Sequence, residues 1–135
     1  MREQIAEFRD EVATWRQDIH RHPELAFQEH RTSDLVAEKL EHFGVEVHRG
    51  LGQTGVVGTL RCGQSDRAIA LRADIDALPI HELTDLDYRS VHEDIMHACG
   101  HDGHTAMYDF NDGIIELGVT YWCTLAETLL PRSFS

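Results

Sequence analysis

The sequence predicts an α/β fold on three observations. Apolar residues recur at spacings of three and four over residues 3–21 and again over 32–43, the period of an amphipathic helix. Short apolar or alternating runs at 45–47, 55–60 and 68–71 have the length and composition of strands. Pro23 and Gly44, both helix-ending residues, stand where one pattern gives way to the next. At 135 residues the chain has the size of one domain. A chain of that size buries roughly two-thirds of the surface its unfolded form exposes, enough for one core.

In the first helix Ile5, Phe8, Val12, Trp15 and Ile19 form a single stripe. Pro23 closes it, because proline lacks an N–H and restrains the residue before it. His20 and His22 read as helix-end residues, and His20, His30 and His42 as exposed ones. In the second helix Leu35, Val36, Leu40 and Phe43 supply the expected buried face, and Gly44 a left-handed C-terminal cap. Val45 and Val47 alternate with Glu46 and His48 as a short strand, and residues 55–60 form the next. A third strand is expected at Ala68-Ile69-Ala70-Leu71, beyond a loop containing Cys62. It runs directly into Asp74 and Asp76, ahead of Pro79. Carboxylates at the carboxyl end of a buried strand lie where open α/β sheets place their sites. Residues 81–96 are polar and irregular. A last helix is expected over 112–130, although Gly118 inside it costs about 1 kcal/mol relative to alanine.

Charge narrows the function. Twelve basic residues face twenty-four acidic ones, a formal net charge of −12 that repels phosphate backbones and anionic lipid. Neither nucleic acid nor a membrane surface is an expected partner. No apolar run approaches a membrane span and no signal peptide is evident, so the expected location is cytoplasmic. Cys62, Cys99 and Cys123 are odd in number and far apart, unlike a disulfide framework. Cys62 and Cys123 lack ligand-type neighbours and read as structural.

The chemistry concentrates in His97-Ala98-Cys99-Gly100-His101-Asp102-Gly103-His104. Thiolate and imidazole are the usual ligands for zinc and similar ions. Glycines on both sides of His101 let near neighbours converge on one ion. Asp74 or Asp76 could bridge ions or orient a ligand histidine. The blander alternatives are a polar loop with a buried thiol, a structural zinc site using Cys99 with His97, His101 or His104, and a pair of turn-forming aspartates. The spacing fits no common zinc finger.

Four stretches, in order, resemble a known family: Arg21-His22-Pro23-Glu24-Leu25, Thr54-Gly55-Val56-Val57-Gly58, residues 70–80 around Asp74-Ile75-Asp76-Ala77-Leu78-Pro79, and residues 96–107 around the histidine-rich motif. The chain resembles the metal-dependent amidohydrolases that include hippurate hydrolase, N-acyl-amino-acid hydrolases and indoleacetyl-amino-acid hydrolases, within the zinc aminoacylase and carboxypeptidase superfamily. The resemblance implies the N-terminal portion of a zinc-peptidase-like catalytic domain, with two helices and a small sheet. It implies that Cys99 and His101 bind metal, zinc or manganese, and that Asp76 is an active-site acid. Asp74 falls where the superfamily often has a metal-binding histidine. Residues 108–132 resemble the C-terminal end of the same family, leading into its final helix. The expected organisation is therefore a partial catalytic domain over 1–107 and a C-terminal helical segment over 108–135, with the family's interior, its glutamate pair, further histidines and lid domain absent. The activity so implied is hydrolysis of the amide bond of N-acyl amino acids, lost or strongly impaired in this chain. The ion would be held weakly, and exposed apolar surface would favour self-association. The alternative is a non-enzymatic remnant or a small metal-binding module.

Overall fold

The computed structural model describes residues 2–61 and 68–106, together with Tyr121, Thr124, Leu125 and Thr128. The elements are α1 (Arg2–Arg21), α2 (His30–His42), β1 (Glu46–Leu51), β2 (Gly55–Thr59) and α3 (His101–Ala106). The α/β class, the two N-terminal helices and the small sheet are as the sequence predicts. The predicted segment at 108–135 lies, apart from those four helical residues, outside the described residues, as do Cys62 and Cys123.

Helix α1 ends at Arg21, and the His22 N–H still reaches the Asp18 and Ile19 carbonyls before Pro23, which is fully buried. The chain then turns through Phe27, at φ +64°, into α2. The N-terminus of α2 has no side-chain cap from Glu29. Glu24 does the work from outside the helix: its carboxylate accepts the Arg31 and Thr32 N–H groups at 2.9 and 2.8 Å and the Thr32 hydroxyl at 2.9 Å. At the other end Gly44, at φ +74°, closes a Schellman turn, its N–H bonded to the Glu41 carbonyl and that of Val45 to the Leu40 carbonyl.

The buried face of α2 differs from the expected one. Thr32, Ser33 and Ala37 are buried, whereas Leu35, Val36 and Leu40 are half-buried and Phe43 is exposed. The reason is that α2 packs through small and hydroxyl side chains. The Ser33 hydroxyl donates to the Thr54 carbonyl, and the Thr54 hydroxyl donates to the buried Glu29 carboxylate at 2.6 Å. These bonds tie the hairpin's turn to the start of α2. Strands β1 and β2 pair antiparallel, from Glu46 opposite Thr59 to Leu51 opposite Gly55, with a bulge between Arg49 and Leu51. A Cβ on Gly58 would stand 3.0 Å from Val45 and 3.2 Å from Leu40, so this glycine permits the close approach of β2 to α2.

The third predicted strand does not form. Among the described residues 68–71 have no ladder partner, and Ala68, Ala70 and Leu71 are exposed. A strand exists by pairing its backbone, and apolar composition alone does not supply a neighbour. Order resumes at Ala77, whose N–H bonds to the Glu24 carbonyl at 2.8 Å, and at Leu78, which exchanges two 3.0 Å bonds with Met96. These bridges hold the aspartate segment between the start of the second helical unit and the entrance to the histidine-rich motif. Helix α3 then packs on α1, where Val12 and Ala106 form a small apolar cluster flanked by Ala13 and Trp15.

Candidate metal centre

Helix α3 begins immediately after Gly100, whose φ of +81° turns the chain so that the Gly103 and His104 N–H groups both reach the Gly100 carbonyl. Residues three apart share a helix face, so His101 and His104 stand side by side, their rings stacked with centroids 5.0 Å apart. The Thr105 hydroxyl reaches back to the His101 carbonyl at 2.9 Å and lies 3.4 Å from the Asp74 carbonyl, tying the helix to the aspartate segment.

Asp74, His101 and His104 each offer a ligand atom within 4.8 Å of the other two, and all three are half-buried. One carboxylate and two imidazoles are a donor set suited to zinc or manganese, so the residues fit a divalent ion. Arg72 approaches Asp74 at 2.5 Å through Nη2, and this guanidinium hydrogen bond holds the Asp74 carboxyl below its usual range. Asp76 lies behind the set rather than in it. Its Oδ1 is 2.8 Å from His101 Nδ1, so that Nδ1–H donates to the carboxylate and the lone pair that a metal needs falls to Nε2. Cys99 is half-buried in the turn before α3, carries a free thiol and stands outside the group formed by Asp74, His101 and His104.

A second cluster lies under the motif. His20, expected at an exposed helix end, is buried, only 6 % exposed. Its Nδ1 is 2.9 Å from Asp102 Oδ2 and its Nε2 is 3.1 Å from Glu82 Oε1. Arg16 Nη1 donates to the same Asp102 oxygen at 3.2 Å, and its guanidinium stacks over the Tyr88 ring at 4.9 Å. Glu82 also accepts the Ser90 N–H at 2.6 Å and the Thr84 hydroxyl. Burial alone would push Asp102 and Glu82 up. For Asp102 the hydrogen bond and charge of His20, the charge of His97 and the Gly103 N–H together outweigh burial, and for Glu82 the hydrogen bonds from Thr84, Ser90 and His20 with the charge of His20 do, so both carboxyls end lower than usual. The sequence carried one signal for this cluster: Arg16 and His20 continue the Val12 line at helical spacing, which places charged groups on the apolar stripe. Nearby His97 is 2 % exposed and neither ring nitrogen has a hydrogen-bond partner among the described residues. Burial pushes it down to about 4. Arg16, His20, Tyr88, His97, Cys99 and His104 line a cavity of about 300 Å³ between α1 and the motif.

Known proteins resemble this chain in sequence and fold. Residues 70–108, the aspartate segment and the motif, match peptidase family M20/M25/M40. The chain is 54% identical over 102 residues to a hippurate hydrolase of Campylobacter jejuni, covering 76% of this chain and 27% of that protein. It is 47% identical over 104 residues to an N-acyl-L-amino acid amidohydrolase of Geobacillus stearothermophilus, covering 76% of this chain and 28% of that one. A dinuclear metal-binding peptidase of the M20 family from Bacillus subtilis superposes with a TM-score of 0.71 at 42% identity, over 75% of this chain and 28% of its own. The match thus spans less than a third of the length of each of these relatives. In sequence and in fold, the matched portion of this chain is similar to members of peptidase family M20/M25/M40.

Proposed function

We propose that this chain holds part of the active site of a divalent-metal amidohydrolase for N-acyl amino acids, with His101 as its central ligand. The observation that carries the reading is the convergence of Asp74, His101 and His104, with Asp76 fixing the His101 ring from behind. A bound divalent ion would supply Lewis acidity toward a substrate carbonyl and lower the pKa of bound water. This chain's own residues do the preparatory work. Arg72 keeps Asp74 ionised, and Asp76 orients His101 and is the active-site acid. Cys99, two residues ahead of His101, is the thiolate ligand that the family resemblance implies.

Turnover by this chain is weak on the same reading. The residues matched to the family contain no counterpart of its glutamate general base, and a positioned base contributes about a hundred- to ten-thousand-fold. Residues 1–107 then act as a partial catalytic domain, with zinc or manganese held loosely by a half-exposed ligand set. A second reading, a small metal-binding module without turnover, rests on the same three residues. Exposed Leu51, Leu60, Leu71 and Leu83 favour self-association.

The test is calorimetric titration of the chain with zinc and with manganese, paired with a hippurate hydrolysis assay. Weak binding is expected, abolished by His101→Ala and reduced by Cys99→Ala, with no useful hydrolysis. Tight stoichiometric binding that survives His101→Ala would show that the site lies elsewhere. Metal-dependent hydrolysis that disappears in Cys99→Ala would make this chain an enzyme in its own right.

A further inference from the structure

The His20 ring meets an acceptor-only group on each side. Asp102 Oδ2 lies 2.9 Å from Nδ1 and Glu82 Oε1 lies 3.1 Å from Nε2. A neutral imidazole carries a proton on one nitrogen and a lone pair on the other. Either neutral tautomer would therefore aim a lone pair at a carboxylate oxygen inside a buried site. Only the doubly protonated ring donates to both. Charge points the same way. The two carboxylates that face the ring are buried, with the Asp102 and Glu82 side chains 5 % and 4 % exposed. A negative charge taken out of water is costly unless it is paired, and a proton on His20 gives both carboxylates a cationic partner.

We infer that His20 is held as a buried imidazolium and is a positioning residue for α3, the helix that carries His101 and His104. Its two hydrogen bonds join three separate parts of the chain: α1, which bears His20; α3, through Asp102; and the irregular 81–96 segment, through Glu82. Asp102 is the direct neighbour of His101, so the cation fixes the first turn of α3 through a contact separate from that of Asp76. Among the described residues, the titratable and charged groups around the ring are Asp102 from α3, Glu82, Tyr88 edge-on at 5.6 Å and His97 at 6.4 Å from the 81–97 segment, and Arg16 one turn earlier on α1. His97 is neutral at ordinary pH and adds no competing charge. Burial by itself pushes His20 down, but the hydrogen bonds to Asp102 and Glu82 outweigh it and the net direction is up, in agreement with the geometry. A group raised in this way stabilises the fold fully below its unfolded value of 6.5 and loses that contribution as pH rises through the higher folded value.

The experiment is nitrogen-15 spectroscopy of the histidine rings in the intact chain, followed upward from pH 6 without added metal. At pH 7.5 both His20 ring nitrogens are expected to show protonated character. Above that, the His101 and His104 ring signals are expected to respond at the His20 midpoint, as α3 loosens. Glu82→Gln keeps the shape of the side chain and removes one of the two charges. It is expected to lower the His20 midpoint and to carry the response at His101 down with it. An unprotonated His20 nitrogen at pH 7.5 overturns the inference, and so does a midpoint that Glu82→Gln leaves in place. A His20 midpoint with no accompanying change at His101 and His104 overturns the positioning role. No arm requires an ion, so these outcomes are separate from the success or failure of the metal-site reading.

Discussion

The interface between α1 and α3 and the interface between α2 and the β1–β2 hairpin are built from opposite materials. At the first, Arg16, His20, Glu82 and Asp102 are ion-paired with side chains between 4 % and 8 % exposed. At the second, the ion pair of Arg49 with Asp34 sits in solvent, its side chains 44 % and 79 % exposed, and order comes from backbone pairing, a glycine cap and hydroxyl bonds. The contrast teaches where each half draws its rigidity. Loss of an exposed charge there, such as Asp34, is tolerated because water replaces it. The α1–α3 contact does not share that tolerance, because removing one partner leaves a buried charge without its counter-ion. The two candidate ligand histidines, both on α3, stand on the buried, ion-paired support.

The largest expected effect is at Asp102. Asp102→Ala leaves Arg16 and His20 buried without their shared carboxylate, and removing one partner of a buried pair costs roughly 3–5 kcal/mol. Urea unfolding should show the midpoint falling steeply. A loss under about 1 kcal/mol would erase the distinction between the two interfaces. Next comes His97, which burial holds neutral down to about 4. The unfolded chain takes up that proton below 6.5 and the folded chain does not, so native stability falls as pH drops from 6.5 toward 4. His97→Leu removes this proton uptake. Its stability relative to the parent should improve on the order of 3 kcal/mol between pH 7 and pH 4, measured by unfolding at each pH. A constant difference across that range would mean that the ring finds a proton partner in the native state. The smallest effect is at the hairpin: Asp34→Ala should change stability by no more than about 0.5 kcal/mol, and less in high salt. A larger change there would sharpen the comparison in the other direction.

Local pattern made α1, α2, the Gly44 cap and both hairpin strands legible, since helix periodicity and turn chemistry act over a few residues. The motif stood out by composition as well, and His101 is one of three residues whose ligand-type atoms lie within 4.8 Å of one another, while Cys99 is not. The strand at 68–71 was misjudged because its apolar composition says nothing about whether a partner lies beside it. The face of α2 was misjudged because hydrophobicity ranks Leu35 and Phe43 above Thr32 and Ser33, while burial here follows hydrogen bonds to Glu24, Glu29 and Thr54. His20 escaped for a related reason. A histidine beside a helix-ending proline reads as surface until Asp102, far along the chain, is seen against it. The place of Asp74 and His104 in the ligand group is likewise a fact of three dimensions that spacing alone leaves open.

The span of those buried bonds bears on how the chain acquires its site. Arg16 and His20 reach partners 86 and 82 positions away, and His20 reaches Glu82 across 62, whereas Asp34 and Arg49 are 15 apart and Ser33 and Thr54 only 21. Closing a long loop loses more chain entropy than closing a short one, and contacts distant in sequence are reached more slowly. Helix α2 and its hairpin can therefore assemble from neighbours, while the fastening of α3 to α1 waits until most of the chain has been gathered in. The histidines of α3 come to their final places late in that order, so any early collapsed species has native-like hairpin structure and no competent ligand group.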